Sequence, residues 1–397
     1  MKVLHCIAQL PDATGSGIYF RSLHEGFAKN GIENGLVFAC QDSLQRSFPD
    51  AKYQYIVQFA SKNLPFNIAG MSDLMPYPST VYSSMSDEQL RLWKAAFSKA
   101  LLDAKKKFNP DIVICHHLFI LASIVKDIFQ DRPIYIICHG TDIRQRLQHV
   151  EFYKANLSHT NDFDGYFTLS SADKTKLLEL YNIDGEKINV TGGAYDKSIF
   201  KPDGHKRGKR LFYCGKIAES KGIYELAAAY KIVKQSHKAE LLLCGNADTE
   251  QKRRLRELAG FKDFHTHHAE NQKIMARIMR KYDIFILPSY YEGLGLVALE
   301  ALASGLLLVS AKHNGLYELL GDRINNSGIV RYVDLPRLYD TDKPYPEDKP
   351  DYIKRLAEAI NAQIENIDTD YSYLNAEIES HSWDGLVKNI MRIVGIA

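Results

Sequence analysis

The chain has 397 residues, of which 45% are apolar and 25% charged, with 18 Phe, 23 Tyr, 25 Gly, 13 Pro and 6 Cys. This apolar and aromatic content excludes a disordered chain, and the Gly, Pro and Cys content excludes a collagen-like or disulfide-scaffold class. The formal net charge of +2 carries no whole-chain signature of nucleic-acid binding, and the length suits two domains of about 150 residues each or somewhat more.

At the N-terminus one Lys and an apolar stretch of about six residues are too little for a secretory signal core, so the mature chain is expected to start here. No apolar run reaches the roughly 18 residues of a membrane span, and the best candidate, Ile112 to Val125, carries His116 and His117 in its middle. The expectation is a cytoplasmic protein, or one resting peripherally on the inner face of a membrane. The cysteines (Cys6, Cys40, Cys115, Cys138, Cys214, Cys244) are scattered through apolar runs without a CxxC pair, the distribution of reduced core thiols.

In chain order, short apolar runs alternate with amphipathic stretches, the pattern of parallel sheets with helical crossovers, and the fold class is α/β. Strands are predicted at Val3 to Ala8, Leu36 to Cys40, Ile112 to Cys115, Ile134 to Cys138, Tyr166 to Leu169 and Ile188 to Val190. A first helix carries Ile18, Phe20, Leu23 and Phe27 and stops at Gly31. A second starts at Ser86, with Gln89 completing a capping box, and runs through Leu90, Trp93, Phe97 and Leu101. The polar segment Lys201 to Lys209 marks a boundary. Beyond it strands are predicted at Leu211 to Cys214, Leu241 to Cys244, Ile284 to Leu287 and Leu306 to Ser310. The expected layout is a first domain at 1–200, a second at 201–380 and a helix at 381–397 that packs back on the first domain. Both domains are doubly wound and should face each other across a cleft. Asp334 to Pro350 reads as a surface loop, and Asp73 to Met85 is a candidate acceptor-side segment.

Most informative is Tyr282 to Ser310, a strand, a Pro288-containing loop, a glycine-rich helix start, a helix, a Gly305 stop and a second strand. Glu292 then sits at the carboxyl end of a parallel strand, and Glu300 about two helical turns on, in the crevice where open α/β sheets bind ligands. Free amides of Gly293, Leu294, Gly295 and Leu296 suit an anion. Taken singly, each carboxylate is as well explained as a helix-dipole acid or a solvated residue. Lys216 and Lys221 follow the first strand of the second half. Gly15 and Gly17 stand in the first strand-to-helix turn, where missing side chains let a phosphate or sugar approach. A dinucleotide fingerprint is not supported, because its third glycine would fall at Phe20. His116, His117 and His139 end strands. His265, His267 and His268 lack a completing carboxylate or thiol, and no metal is expected.

The run PSYYEGLGLVALEALASGL resembles the Glu-x7-Glu signature of glycosyltransferase family 4, retaining enzymes of the GT-B fold. Further islands follow in the family's order. They are Ser16 to Gly31, His139-Gly140-Thr141-Asp142, Val190 to Pro202, Tyr213-Cys214-Gly215-Lys216 with Lys221-Gly222, and His381-Ser382-Trp383. The resemblance implies two Rossmann-like domains of the GT-B type. It also implies transfer of a sugar from a nucleotide-sugar donor to a hydroxyl-bearing sugar or lipid-linked acceptor, without a cofactor and without nucleic acid. The roles it implies put Glu300 on the ribose, Lys216 and Lys221 on the diphosphate, Glu292 and His139 on the donor sugar, and the Gly293 to Leu296 amides nearby. The chain departs from the pattern at Lys216, where the family has Arg and its bidentate fork, and at Asn314, where the family has Gly. Asn314 is expected to keep a left-handed turn and to shape the sugar site. A 2-epimerase of the same architecture and a non-catalytic nucleotide- or glycan-binding scaffold are the alternatives. Basic clusters at Lys105 to Lys107, Lys206 to Arg210 and Lys252 to Arg256 are candidates for anionic headgroups, against the simpler reading as solvated faces.

Overall fold

The computed structural model describes residues 1–11, 13–41, 48, 51–204 and 208–396, so Lys206 and Arg207 of the middle basic cluster lie outside the described residues. By contacts the chain divides into two compact units, Met1–Gly192 with Val387–Ala397, and Gly193–Leu386. The division precedes the polar segment because residues after Gly193 are built into the second unit. Tyr195 bridges to Ser382, Lys197 pairs with Glu379 and Asp384 at 2.8 and 2.9 Å, and Tyr195 and Phe200 join the second unit's core.

In the first unit β1 (Lys2–Cys6), β2 (Glu33–Gln41) and β3 (Tyr53–Phe59) are followed by a separate small pair, β4 (Ala69–Gly70) with β5 (Thr80–Val81). Then come β6 (Ile112–His116), β7 (Ile134–Ile137), β8 (Gly165–Thr168) and β9 (Ile188–Val190). The seven larger strands form one sheet in the order β3-β2-β1-β6-β7-β8-β9, and every pairing in it is parallel. β1 and β6 are buried along almost their whole length, as strands covered on both faces must be.

The first helix, Gly15–Lys29, buries Tyr19, Phe20, Leu23 and Phe27, while Ile18, predicted on its inner face, points outward and is 42% exposed. The second helix, Asp87–Lys107, has the predicted Ser86–Gln89 capping box and ends on Lys105, Lys106 and Lys107, cations that complement the carbonyl end of the helix. Lys105 is bonded to the Ile128 carbonyl and to Asp131, and Lys107 pairs with Asp103.

The second unit repeats the plan with β10 (Arg210–Cys214), β11 (Glu240–Cys244), β12 (Phe264–His267), β13 (Ile284–Leu287), β14 (Leu307–Ala311) and β15 (Val330–Val333). Their order is β12-β11-β10-β13-β14-β15, again all parallel. Arg210 grips the buried Asp283 through Nε and Nη2 at 3.0 and 3.1 Å, clamping the amino ends of the two central strands. The stretch expected as a loop at 334–350 contains a hairpin, β16 (Leu338–Asp340) with β17 (Lys343–Pro344), and the start of helix Lys349–Glu365. The last helix is Trp383–Ile393. Its Val387 fills the space beside Gly26, where an added Cβ would fall 2.4 Å from Val387 Cγ2. Both sheets reverse strand order at a central strand, at β1/β6 and at β10/β13, and in open parallel sheets the carboxyl side of such a reversal is where ligands bind.

Candidate active site

In the second unit the segments leaving β10 and β13 carry charge. Lys221 Nζ donates to Glu292 Oε1 at 2.8 Å, with the two side chains 27% and 17% exposed. The ion pair therefore spans the reversal point, and the two residues come from segments 71 positions apart. Three helices begin around it: Ile223–Ser236 after Gly222, Leu296–Ala303 after Gly295, and Asn314–Asn325 after His313. None of the three has a side-chain cap. Their first-turn amides are thus not consumed by capping side chains, and each helix start carries partial positive charge. Glycines allow the close packing here. A Cβ on Gly222, which has φ +62°, would lie 2.1 Å from the Pro288 carbonyl oxygen, and one on Gly315 would lie 2.0 Å from that of Gly293. Gly293 itself has open space around it, and Gly295 takes φ +62° to start its helix. Leu294 and Leu296 pack beside Gly193.

Asn314 does not adopt the expected left-handed turn. It is the first residue of its helix and has no positive φ, because the close approach is met by Gly315, one residue on. Its exposed side chain stands at the uncapped start of that helix. The preceding His313 is buried, and burial, the largest influence, holds its imidazole below the ordinary range despite the nearby Glu292 carboxylate and a bond to the Ser289 backbone. Glu300, in the helix after Gly295, is only partly exposed, and loss of water raises its carboxyl to about 8. It is therefore largely protonated at pH 7.

Lys216 is exposed and carried by a rigid turn. Tyr213 Oη donates to its carbonyl at 2.7 Å, Gly215 N donates to the Cys244 carbonyl at 3.0 Å, and Gln251 Nε2 donates to the Ile217 carbonyl at 3.0 Å. The turn lines a cavity of about 600 Å³ together with Cys214, Gly245, Asn246, Asn271 and Gln272. Those last four were not singled out from sequence. Gly245 had a signal, since it follows a strand at its carboxyl end and a side chain there would meet the Gly215 carbonyl oxygen at 2.1 Å. His268 also lines this cavity. Among the described residues no group of three His, Cys, Asp or Glu side chains could hold a metal ion. The basic stretch at Lys252 to Arg256 lies on a helix, with Arg253 paired to Glu250 and Glu257 and Arg254 to Glu219.

In the first unit the corresponding position holds neutral rings. His139 follows β7, with its Nε2 2.9 Å from Nδ1 of His116, the last residue of β6. The two rings lie within 15° of parallel with centroids 5.1 Å apart, and His117 lies tilted against His139 at 4.8 Å. His117 has φ +72°, a costly conformation for a non-glycine residue. It is secured by its N–H donating to the Ile137 carbonyl at 2.8 Å. Burial holds the imidazoles of His116, His117 and His139 well below their ordinary range. Asp142, buried and pushed up to about 6, accepts from the backbone N–H of Leu118 at 3.1 Å and of His139 at 3.2 Å, tying the two histidine-bearing loops together. Gly15 and Gly17 open the first helix, and Thr14 Oγ1 accepts from the Gly17 amide at 3.1 Å. Gln9 in turn donates to Thr14 Oγ1 at 3.0 Å. The Gly17 amide is therefore already engaged, and Gly15 has nothing within 4 Å of a would-be Cβ. Asp73, in the candidate acceptor-side segment, accepts from Gln145 at 2.9 Å and from His149 at 3.0 Å. No described helix is long and apolar enough to cross a membrane.

Two family models match consecutive stretches. One is Glycosyltransferase Family 4 over residues 13–198, and the other is Glycosyl transferases group 1 over residues 195–332. Among curated proteins the chain is 25% identical over 266 residues to a glycogen synthase of Mycobacterium tuberculosis, covering 62% of this chain and 61% of that protein. It is 30% identical over 170 residues to a D-inositol 3-phosphate glycosyltransferase of an Arthrobacter species, covering 38% and 40%. The aligned part is thus 61% and 40% of these two relatives' length. Among solved structures, Alr3699/HepE of Anabaena in complex with UDP and glucose aligns over 100% of both chains with a TM-score of 0.61 at 14% identity, a likeness of fold.

Proposed function

This chain belongs to glycosyltransferase family 4 and has the GT-B architecture of two Rossmann-like domains, and on that premise we propose the reaction it carries out. It moves a sugar, with retention at the anomeric carbon, from a nucleoside-diphosphate sugar to a hydroxyl of a saccharide or lipid-linked acceptor, in polysaccharide, glycolipid or glycoconjugate synthesis. The observation that most supports this reading is the Lys221–Glu292 pair at the β10/β13 reversal, ringed by three helix starts without side-chain caps. Such a place favours a diphosphate and grows more favourable as the leaving group gains charge.

In this reading the cation of Lys221 and the exposed Lys216 draw the diphosphate, and the amides at Gly293 to Leu296 add fixed dipoles. Glu292 stays beside Lys221 and accepts from a hydroxyl of the donor sugar. Glu300 meets the ribose hydroxyls. Asn314, exposed at its helix start, reaches the sugar. His139 of the first unit offers a hydrogen bond to a sugar hydroxyl, and Gly15 and Gly17 leave room for a sugar or phosphate to approach. The glycosidic C–O bond to phosphate breaks as the acceptor oxygen bonds to the anomeric carbon on the same face. The acceptor's proton passes to the departing phosphate, so no side chain forms a covalent bond to sugar. Side chains and backbone amides, rather than a metal ion, neutralise the leaving group.

The test is thermal unfolding with UDP, GDP, ADP, CDP and dTDP and their common sugars, starting from UDP-glucose, which matches the ligands of the solved neighbour. At 100 times its dissociation constant a ligand stabilises by about 2.7 kcal/mol. One nucleotide should raise the melting temperature by several degrees and its sugar should yield free diphosphate when acceptor is added. No response to any nucleotide would overturn the reading.

A further inference from the structure

We propose that His116 is a positioning residue that fixes the tautomer of His139, donating from Nδ1–H to His139 Nε2 so that His139 presents Nδ1–H outward as a donor. The inference rests on the nucleotide-sugar reading only for the identity of the oxygen that receives this N–H. The tautomer itself follows from the packing.

A nitrogen–nitrogen separation of 2.9 Å between two rings requires one proton between them. Both rings are neutral, because burial disfavours their cations. If the proton belonged to His139 Nε2, neutral His116 would carry its own on Nε2. That atom is buried and has no hydrogen-bond partner among the described residues, and Phe20, whose ring meets His116 at 5.4 Å, offers no acceptor. An orphaned N–H in such a place is rarer and more costly than an unused lone pair. With the proton on His116 Nδ1 the orphan at Nε2 is only a lone pair. His139 then carries its proton on Nδ1. That nitrogen is not among the buried unpaired atoms, and the residue is partly open to solvent, so the N–H is free to bind a ligand oxygen. The backbone bonds from Leu118 and His139 to Asp142 hold the two rings in this relation.

The tautomer is read on the full-length protein without ligand, by long-range proton–nitrogen correlation with 15N-labelled histidine. His139→Gln and His116→Asn serve to assign the signals. His139 should show the Nδ1–H pattern, and an Nε2–H pattern would overturn the proposal. In a second arm, diphosphate release is followed from the nucleotide sugar that gives the melting response. His116→Leu should lower kcat/KM by about tenfold, the worth of one hydrogen bond of roughly 1.4 kcal/mol, with the nucleotide-induced melting shift kept. His116→Asn, whose amide nitrogen stands where Nδ1 did, should recover most of that loss. Equal losses in the two variants, both folded, would also overturn it. Absence of transfer by the wild type would instead refute the sugar-transfer reading, and the spectrum would still decide the tautomer.

Discussion

The two units build the same doubly wound sheet and place chemistry at the same point of it, yet they treat the first helix after the central strand in opposite ways. In the first unit Thr14 caps that helix and takes the Gly17 amide. In the second, the helix after β10 starts at a left-handed Gly222 that has no side chain to cap with, and a lysine–carboxylate pair stands beside it. The rings gathered at the first reversal are neutral imidazoles, whereas the second reversal carries full charges and open helix starts. One fold thus yields a surface suited to uncharged hydroxyls and another suited to an anion. The difference lies in a few loop residues rather than in the strands.

The contrast is sharpest under acid. His5, His116 and His117 are each no more than 2% exposed; burial lowers His5 and His117 to about 3 and His116 further. A histidine that is neutral when folded but ordinary when unfolded leaves stability intact above about pH 6.5, and stability falls as pH drops below that value, because the unfolded chain then binds the extra proton. Three such groups remove about 6 kcal/mol between pH 7.5 and pH 5, at about 1.4 kcal/mol per unit for each once below pH 6.5. Trp93 is buried in the first unit, and Trp383 lies in the second. In a Trp383→Phe variant the Trp93 emission should therefore report a urea midpoint that falls steeply over this range. A midpoint independent of pH would break the comparison.

Gly315→Ala probes the second unit. Its Cβ would press on the Gly293 carbonyl oxygen, forcing two helix starts apart, at a cost of about 1–3 kcal/mol and with loss of the nucleotide melting shift. Gly293→Ala, with open space around its Cβ, should leave the melting temperature of the ligand-free protein within a degree or two. Lys221→Ala should follow in size, lowering turnover about 100-fold, the usual worth of one preorganised electrostatic contact to a developing anion. A Lys216→Ala, Lys221→Ala double variant with wild-type turnover would remove both lysines from the mechanism.

Much of this was legible in the residues themselves, and what was not has physical causes. The central strands, such as Ile284–Leu287 and Leu241–Cys244, are continuous apolar runs because helices cover both their faces. The strands of the two large sheets that escaped sequence reading, β3, β12 and β15, all stand at sheet edges. There half-exposed Tyr, Gln, His and Arg side chains break the pattern. Of the candidate site, Glu292, Glu300, Lys216 and Lys221 stood out only through the family resemblance, and nothing in spacing says that Lys221 meets Glu292 or that His116 meets His139. Those contacts are made by neighbouring strands joined by long crossovers. Asn314 was misplaced by a single position, since the glycine that the packing demands is Gly315. The cavity residues after β11 and β12 were hidden with the edge strand that precedes half of them.

Glu300 offers the smallest of the expected effects and the one with the opposite sign to the histidines. Burial raises its carboxyl to about 8, so the folded chain keeps a proton that the unfolded chain releases near pH 4.5. Its contribution to stability therefore declines as pH rises from about 4.5 to 8, rather than as pH falls. Because the side chain is partly open to solvent, the cost at pH 9 is about 2 kcal/mol, less than the full shift would give. Glu300→Gln removes that cost while keeping shape and one acceptor oxygen. The variant should melt higher than wild type at pH 9 and the same at pH 5, and at pH 9, where the wild-type group is ionised, should bind the nucleotide more weakly, since an amide accepts less strongly than a carboxylate from ribose hydroxyls. Greater stability with weaker binding is the signature of a residue kept for ligand. If the variant instead melted lower at pH 9 and bound nucleotide as before, Glu300 would be a packing residue of its helix, and the ribose would have to be held elsewhere in the second unit.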